Sequence, residues 1–119
     1  MKNIISLKNY REFGRVYAHK ESFANKYLVM YVAPNQTAYS RIGISVSKKV
    51  GNSVVRHRIT RLIRESYRLH KMEIETKSEK GMQQEGRDIV VIARVNAKGT
   101  GYREIESAFL HLCRLHHII

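Results

Sequence analysis

The sequence predicts a single α+β domain with the element order α-β-β-α-β-α. Three observations predict it. Residues 23–33 and 41–49 alternate in side-chain character with the period of a strand. From Asn52 to Lys71 apolar residues recur with the period of a helix, and residues 88–94 form a short, nearly unbroken β-branched run. At 119 residues the chain can bury one real core but not two, so residues 1–119 read as one domain.

The first helix is expected over residues 6–19. Ser6 suits its cap, and Leu7, Tyr10, Phe13 and Tyr17 recur at spacings of three and four. Tyr10, Phe13 and Tyr17 make an aromatic stripe with Arg11 and Arg15 beside it. Spacing alone favours a core stripe over a binding wall. Residues 23–33 then read as one strand, with Leu28, Met30 and Val32 toward the core and Asn25, Tyr27, Val29 and Tyr31 on the other face. Pro34-Asn35 ends it, and a polar link returns the chain antiparallel.

In the second strand Ile42, Ile44 and Val46 alternate with Gly43, Ser45 and Ser47. The small, polar set leaves room for something to lie on the sheet. If the two strands pair with their aliphatic sides aligned, the open face presents Tyr27, Tyr31, Ser45 and Ser47, the rings and hydroxyls that an unpaired nucleic-acid strand uses. An ordinary solvent-facing sheet is the alternative.

Residues 41–71 hold most of the charge. Nine are Lys or Arg and only Glu65 is acidic, a net +8 of the chain's +12. At about 100° per residue, Val55, Ile59, Leu62, Ile63 and Leu69 fall on one side of the helix, and His57, Arg61, Arg64, Arg68 and Lys71 on the other. Arg56 and Arg58 flank the apolar stripe, so either a partner wraps the helix start or one of them turns inward. Asn52 is a good N-cap, Gly51 a permissive turn residue, and Lys48 and Lys49 precede the helix N–H groups, which together make a phosphate seat. A solvated surface helix would carry more interleaved acids than this one. The pattern points to nucleic acid.

Residues 72–87 are polar and hold four of the ten acidic residues, so the helix is expected to fray there into a mobile loop. Residues 88–94 read as a strand buried on both faces, parallel to the one before the basic helix. After a turn at 96–101, the last helix, at about 102–117, buries Ile105, Ala108, Phe109, Leu112 and Leu115, with Cys113 a packed thiol.

Composition excludes several classes. The sequence pI of about 10.1 implies salt-sensitive attraction to phosphate. No run reaches the roughly 18 apolar residues of a membrane span, and the lysine-broken N-terminus does not read as a signal peptide. A single cysteine excludes an internal disulfide and suits a reducing cytoplasm. The carboxylates are dispersed, the six histidines lack ligand spacing, and no Gly-rich nucleotide loop occurs, so no catalytic or metal-ligating residue is expected in the protein itself.

With strand, turn and helix in order, residues 41–68 resemble the signature of the bacterial ribonuclease P protein family. Ser47-Lys48-Lys49, Gly51-Asn52 and Val54-Val55-Arg56-His57-Arg58 occupy the pattern, and Arg61, Leu62, Ile63 and Arg64 continue it. Phe13, Val16 and Tyr17, Ala24-Asn25, and residues 89–94 extend the likeness along nearly the whole chain. The resemblance implies an α/β sandwich with a left-handed strand–helix–strand crossover, against the usual rule. It also implies a partner, the ribonuclease P RNA, that carries out Mg2+-dependent removal of the 5′ leader of precursor tRNA and holds most of the Mg2+. By position, Lys48, Lys49, Asn52, Arg56, His57, Arg58, Arg61, Arg64 and Arg68 would face that RNA. Phe13, Tyr17, Tyr31, Ser45 and Ser47 would line a leader cleft, which turns the aromatic stripe from core into binding wall.

Three departures stand out. His57 replaces the usual Asn, which predicts an altered or weakly pH-dependent contact; RNA affinity that is flat between about pH 5.5 and 8 would exclude the latter. The segment at 72–87 is long and acidic, and the C-terminus lacks a basic tail. The rival from another class is a ribosomal or RNA-chaperone scaffold protein. A helix-turn-helix fits less well because the basic helix follows a strand.

Overall fold

The computed structural model of the protein describes residues 4–77, 79–80 and 83–119. Its elements are α1 (Tyr10–His19), β1 (Ser22–Ala24), β2 (Leu28–Pro34), β3 (Arg41–Ser45), α2 (Ser53–Lys77), the two-residue strands β4 (Glu79–Lys80) and β5 (Gln83–Gln84), β6 (Arg87–Ala93) and α3 (Tyr102–Leu115). The main sheet runs β1-β2-β6-β3, antiparallel except for the β3–β6 pair that α2 connects. The α+β class, the parallel crossover and the buried β6 are as the sequence predicts, but β6 lies between β2 and β3, which therefore do not pair with each other.

Two layers cover the sheet. On one face Leu28, Met30, Val32, Ile42, Ile89 and Val91 pack against Ile59, Ile63, Tyr67 and Ile74 of α2 and Ile105, Phe109 and Leu112 of α3. On the other, Val16 of α1 joins Leu7, Ala33 and Val90 in a small second cluster, with Phe13, Tyr17, Tyr31 and Ile92 half-buried around it. This thin layer between α1 and the sheet leaves aromatic rings open to solvent.

Several boundaries differ from expectation. The first helix starts at Tyr10, capped by Asn9, whose Oδ1 accepts from the Glu12 N–H at 3.1 Å. Ser6 instead lies in a parallel bridge beside Ile42, with the Leu7 N–H donating to the Ile42 carbonyl. Residues 23–33 are two strands, not one. The Asn25 Oδ1 accepts the N–H groups of Tyr27 and Leu28 at 3.2 and 3.0 Å and folds the chain into a tight β1–β2 turn. Tyr27 consequently packs against the main core rather than on the open face.

α2 does not fray at Met72. It continues to Lys77 because Ile74 is buried and Glu75 is tied to Lys71 Nζ at 2.8 Å and to the Ser40 N–H at 3.2 Å. Part of the expected polar loop, residues 78, 81 and 82, lies outside the described residues. The core side of α2 is rotated from the predicted stripe. Leu69 is half-exposed, whereas Ser66, Tyr67 and Lys71 are buried. At about 100° per residue Leu69 lies well off the line through Ile59, Ile63 and Ile74, while Tyr67 falls on it. Burial pushes the Tyr67 phenol up to about 12, and it hydrogen-bonds Ser40. In α3, Leu115 is partly exposed and Cys113 fully buried, its thiol pushed up by burial to about 12.

His70 ties α2 to α3. Its Nδ1 lies 2.8 Å from Glu73 and its Nε2 2.9 Å from Glu106 of α3, which also accepts from the Tyr102 hydroxyl at 3.1 Å. Burial alone would lower the imidazole pKa, but hydrogen bonds to Glu106 and Glu73 and their charges outweigh it and raise it. The folded state therefore holds the proton above the ordinary pKa of about 6.5. Stability from this bridge is complete below that pH and is lost as pH rises through the folded value. Half-buried His116, its Nε2 2.8 Å from the Met30 carbonyl, has its pKa lowered by desolvation and acts oppositely, costing stability as pH falls below about 6.5. In His70→Gln, urea unfolding should lose the alkaline decline while keeping the acid one. An unchanged decline would discard the bridge.

Candidate nucleic-acid interface

α2 begins where a turn at Ser47–Val50 aims Lys48 and Lys49 into solvent while Val50 is buried. Asn52 caps the helix, its Oδ1 accepting from the Val55 N–H at 3.0 Å. Gly51 is required for space: a Cβ there would stand 2.7 Å from a Val55 methyl. Apart from the Val55 N–H that Asn52 takes up, the N–H groups of the first turn keep no intrahelical acceptor, and exposed Lys48 and Lys49 precede them in the chain.

The predicted cationic row is only partly free. His57, Arg58, Arg61 and Arg64 are exposed, and Arg64 Nη1 reaches the Ser6 hydroxyl at 3.2 Å. Arg68 is exposed but chelates Glu65, with Nε at 3.0 Å, and this carboxylate is held below its usual range by the pair. Arg56 is the inward-turning arginine of its pair, half-buried, with a shielded Nε that finds no acceptor among the described residues. Two of the nine cations are internal. Lys71 is buried against Glu75, and Arg41 bonds Asp88 through Nε at 2.8 Å and Nη2 at 2.7 Å, and Glu12 through Nη1 at 2.9 Å. The Glu12 carboxyl is held down by the Lys8 N–H and then by Arg41.

That Arg41–Glu12 pair holds α1 over β3, and between them runs a groove of about 530 Å³ lined by Lys8, Asn9, Tyr10, Phe13, Tyr17, Ile44 and Ser45. Tyr17 meets Phe13 at 6.5 Å between ring centroids and Tyr31 edge-on at 5.0 Å. Burial, and then Tyr31, raises the Tyr17 phenol, which stays a neutral hydrogen-bonding group at physiological pH. Phe13, Tyr17 and Ser45 line the groove, Tyr31 meets Tyr17 but is not part of the lining, and Ser47 is exposed in the turn beyond β3, also outside the lining. Tyr10, 96% exposed at the groove mouth, and Lys8 were not among the predicted cleft residues. Tyr10 shares the stripe of Phe13 and Tyr17, so the signal was present.

Groove and arginine surface meet at the β3 edge, where Ser6 touches both β3 and Arg64. The sequence model of the family "Ribonuclease P" matches residues 1–116. The chain belongs to the ribonuclease P protein family. The ribonuclease P protein component of Lachnoclostridium phytofermentans is 58% identical over 114 residues, 96% of this chain and 90% of that protein. That of Clostridioides difficile is 46% identical over 108 residues, 91% of this chain and 88% of that one. Among solved structures, the Staphylococcus aureus RNase P protein superposes with a TM-score of 0.82 at 34% identity, covering 98% of each chain. The Thermotoga maritima protein does so with a TM-score of 0.75 at 29% identity, covering 92% and 96%.

The chain is therefore a subunit of ribonuclease P, the ribonucleoprotein that matures tRNA 5′ ends, and its partner is the ribonuclease P RNA. The scaffold alternative falls away with that family. No helix among the described residues is long and apolar enough to cross a membrane.

Proposed function

We propose that the α2 surface docks the ribonuclease P RNA and that the α1–β3 groove holds the single-stranded 5′ leader of precursor tRNA, in the cytoplasm. One observation carries the reading: a groove of half-buried aromatic rings opens directly beside a row of exposed arginines, joined through Ser6. Lys48, Lys49, His57, Arg58, Arg61 and Arg64 supply cations to RNA phosphates, and Asn52 presents the helix N–H groups. Arg56, whose shielded Nε finds no acceptor among the described residues, joins this surface by turning its guanidinium outward. Arg68 joins them by exchanging Glu65 for phosphate. In the groove, Phe13 and Tyr17, the latter braced by Tyr31, offer ring faces and edges to unstacked bases, and Ser45 a hydroxyl, as suits a strand of variable sequence. Ser47, on the turn, belongs with the RNA-facing lysines rather than with the leader.

Among the described residues no three His, Cys, Asp or Glu side chains gather into a metal site. The Mg2+ of the reaction is assigned here to the RNA. The protein's part is binding and orientation.

The test is precursor-tRNA cleavage at low Mg2+ by a bacterial ribonuclease P RNA with and without the protein. Arg61→Ala/Arg64→Ala is expected to weaken RNA-subunit binding at least about tenfold and to remove the stimulation. Phe13→Ala should be defective only on precursors with a leader of several nucleotides. Equal losses on leaderless and long-leader precursors would remove the leader from the groove.

A further inference from the structure

We infer that the groove between the β1–β2 turn and α3 is a second seat for an RNA phosphodiester strand, separate from the α2 surface. Arg103, Ser107 and His111 stand at i, i+4 and i+8 on one exposed face of α3, about 6 Å apart along the helix. Lys26 and Tyr27 of the β1–β2 turn face them across a groove of about 430 Å³. The Lys26 ammonium lies 5.5 Å over the Tyr27 ring.

The hydrogen-bond pattern makes this groove a row of donors. Both acceptances by the Asn25 Oδ1 are from backbone N–H groups, which fixes the orientation of its amide. Its Nδ2 then donates to the Ala108 carbonyl at 2.9 Å and to His111 Nδ1 at 3.2 Å. With Nδ1 accepting, the neutral imidazole carries its proton on Nε2. Arg103, Ser107, His111 Nε2–H and Lys26 are all available to an anion. Glu104, the acid in the lining, already accepts from the Gly101 N–H at 3.2 Å. Donors repeated at each helical turn suit a chain of phosphates better than a single one, and half-buried Tyr27 offers a surface to a base.

Location separates this seat from the α2 surface. α3 packs on β1 and β2 whereas α2 packs on β3, at opposite edges of the β1-β2-β6-β3 sheet. The edge strands β1 and β3 lie three spacings of about 4.8 Å apart, roughly 15 Å, while the two helices touch between them through His70 and Glu106. The lining of the groove takes no residue from α2, so phosphates seated there are additional to those on the α2 surface. The two sets belong either to the RNA subunit alone or to the RNA subunit and the precursor tRNA.

Two binding measurements on the reconstituted system distinguish these sources: protein to ribonuclease P RNA, and holoenzyme to precursor tRNA at constant leader length, each titrated with salt. In one of them Arg103→Ala/His111→Ala is expected to lose on the order of tenfold in affinity and about two in the log–log salt slope. Ser107→Glu should reproduce the loss by charge repulsion, and the melting temperature should change little because all three side chains are exposed and only the His111–Asn25 bond is given up. The measurement that responds names the RNA. Unchanged affinity and slope in both overturns the proposal. Capture of a poly-glutamate peptide by the unaltered protein but not by the double variant would in that case give the groove to an acidic protein segment.

Discussion

Arg41→Ala is expected to lower the unfolding free energy by roughly 3–5 kcal/mol, the cost of leaving a buried charge without its partner. The Asp88 side chain is 2% exposed and receives two guanidinium bonds from Arg41 and one from the Asn35 amide at 2.8 Å. Arg41 and Asp88 stand opposite each other in the parallel β3–β6 register, so the fork spans the strand pair that the long α2 crossover closes. Truncation leaves the carboxylate with Asn35 alone in a site that water barely reaches. Arg41→Lys should recover only part of the loss, because an ammonium cannot make the two parallel bonds. The same change frees Glu12 and with it the wall of the groove, so leader-dependent cleavage should suffer beyond what the stability loss explains. An apolar pair, Arg41→Met/Asp88→Leu, separates the two effects. It should regain most of the stability, since buried ion pairs often exchange for apolar pairs at little net cost, yet leave α1 untethered. Urea unfolding decides it, and a loss below about 1 kcal/mol in Arg41→Ala would mean that Asp88 is solvated or otherwise satisfied.

Arg41 also marks where reading the sequence stops. Periodicity located α2, both faces of β2 and β3, and the buried β6, because burial on a helix or strand repeats with backbone geometry. The charge count included Arg41 and Lys71, and helix geometry put Lys71 in the outward row, yet both turn inward to acids distant or four residues away. A count carries no direction, and Asp88 is 47 residues from Arg41. The division of β1 from β2 was missed because the device is a single side chain, Asn25, bonding backbone within a stretch that otherwise alternates. Ser6 and Asn9 are both capping types on one apolar stripe, and only the bridge to Ile42 decides between them. The acidic run after Lys71 reads as loop locally, while Ile74 and Glu75 find their partners across the fold. The candidate site was legible where it rests on local pattern, the arginine row and the aromatic stripe. It was not legible where a wall needs a third element: Ser47 lies just past the strand that lines the groove, and Tyr10 at its mouth.

Gly43→Ala is expected to disable the groove without changing any residue that would touch RNA. Gly43 is buried on β3, and a Cβ there would lie 2.6 Å from Phe13 Cζ and 3.0 Å from a Leu7 methyl. Phe13 is the flexible neighbour, so its ring must leave its seat between Gly43 and Tyr17. The overpacked layer should cost about 1–3 kcal/mol. If Phe13 forms the wall of the leader groove, Gly43→Ala should copy Phe13→Ala: normal affinity for the RNA subunit, with lost discrimination in favour of long-leader precursors. Stability and function then come apart in Gly43→Ala/Phe13→Leu. The smaller side chain gives the new methyl room, so the two changes together should destabilise by less than their sum, as contacting residues do. Leader dependence should stay lost, because no ring remains to stack on a base. The outcome that would sink the argument is a Gly43→Ala protein that melts like the unaltered chain and still favours long leaders. The α1–sheet layer would then be loose enough to absorb a methyl group, and Phe13 would not be the surface the leader reads.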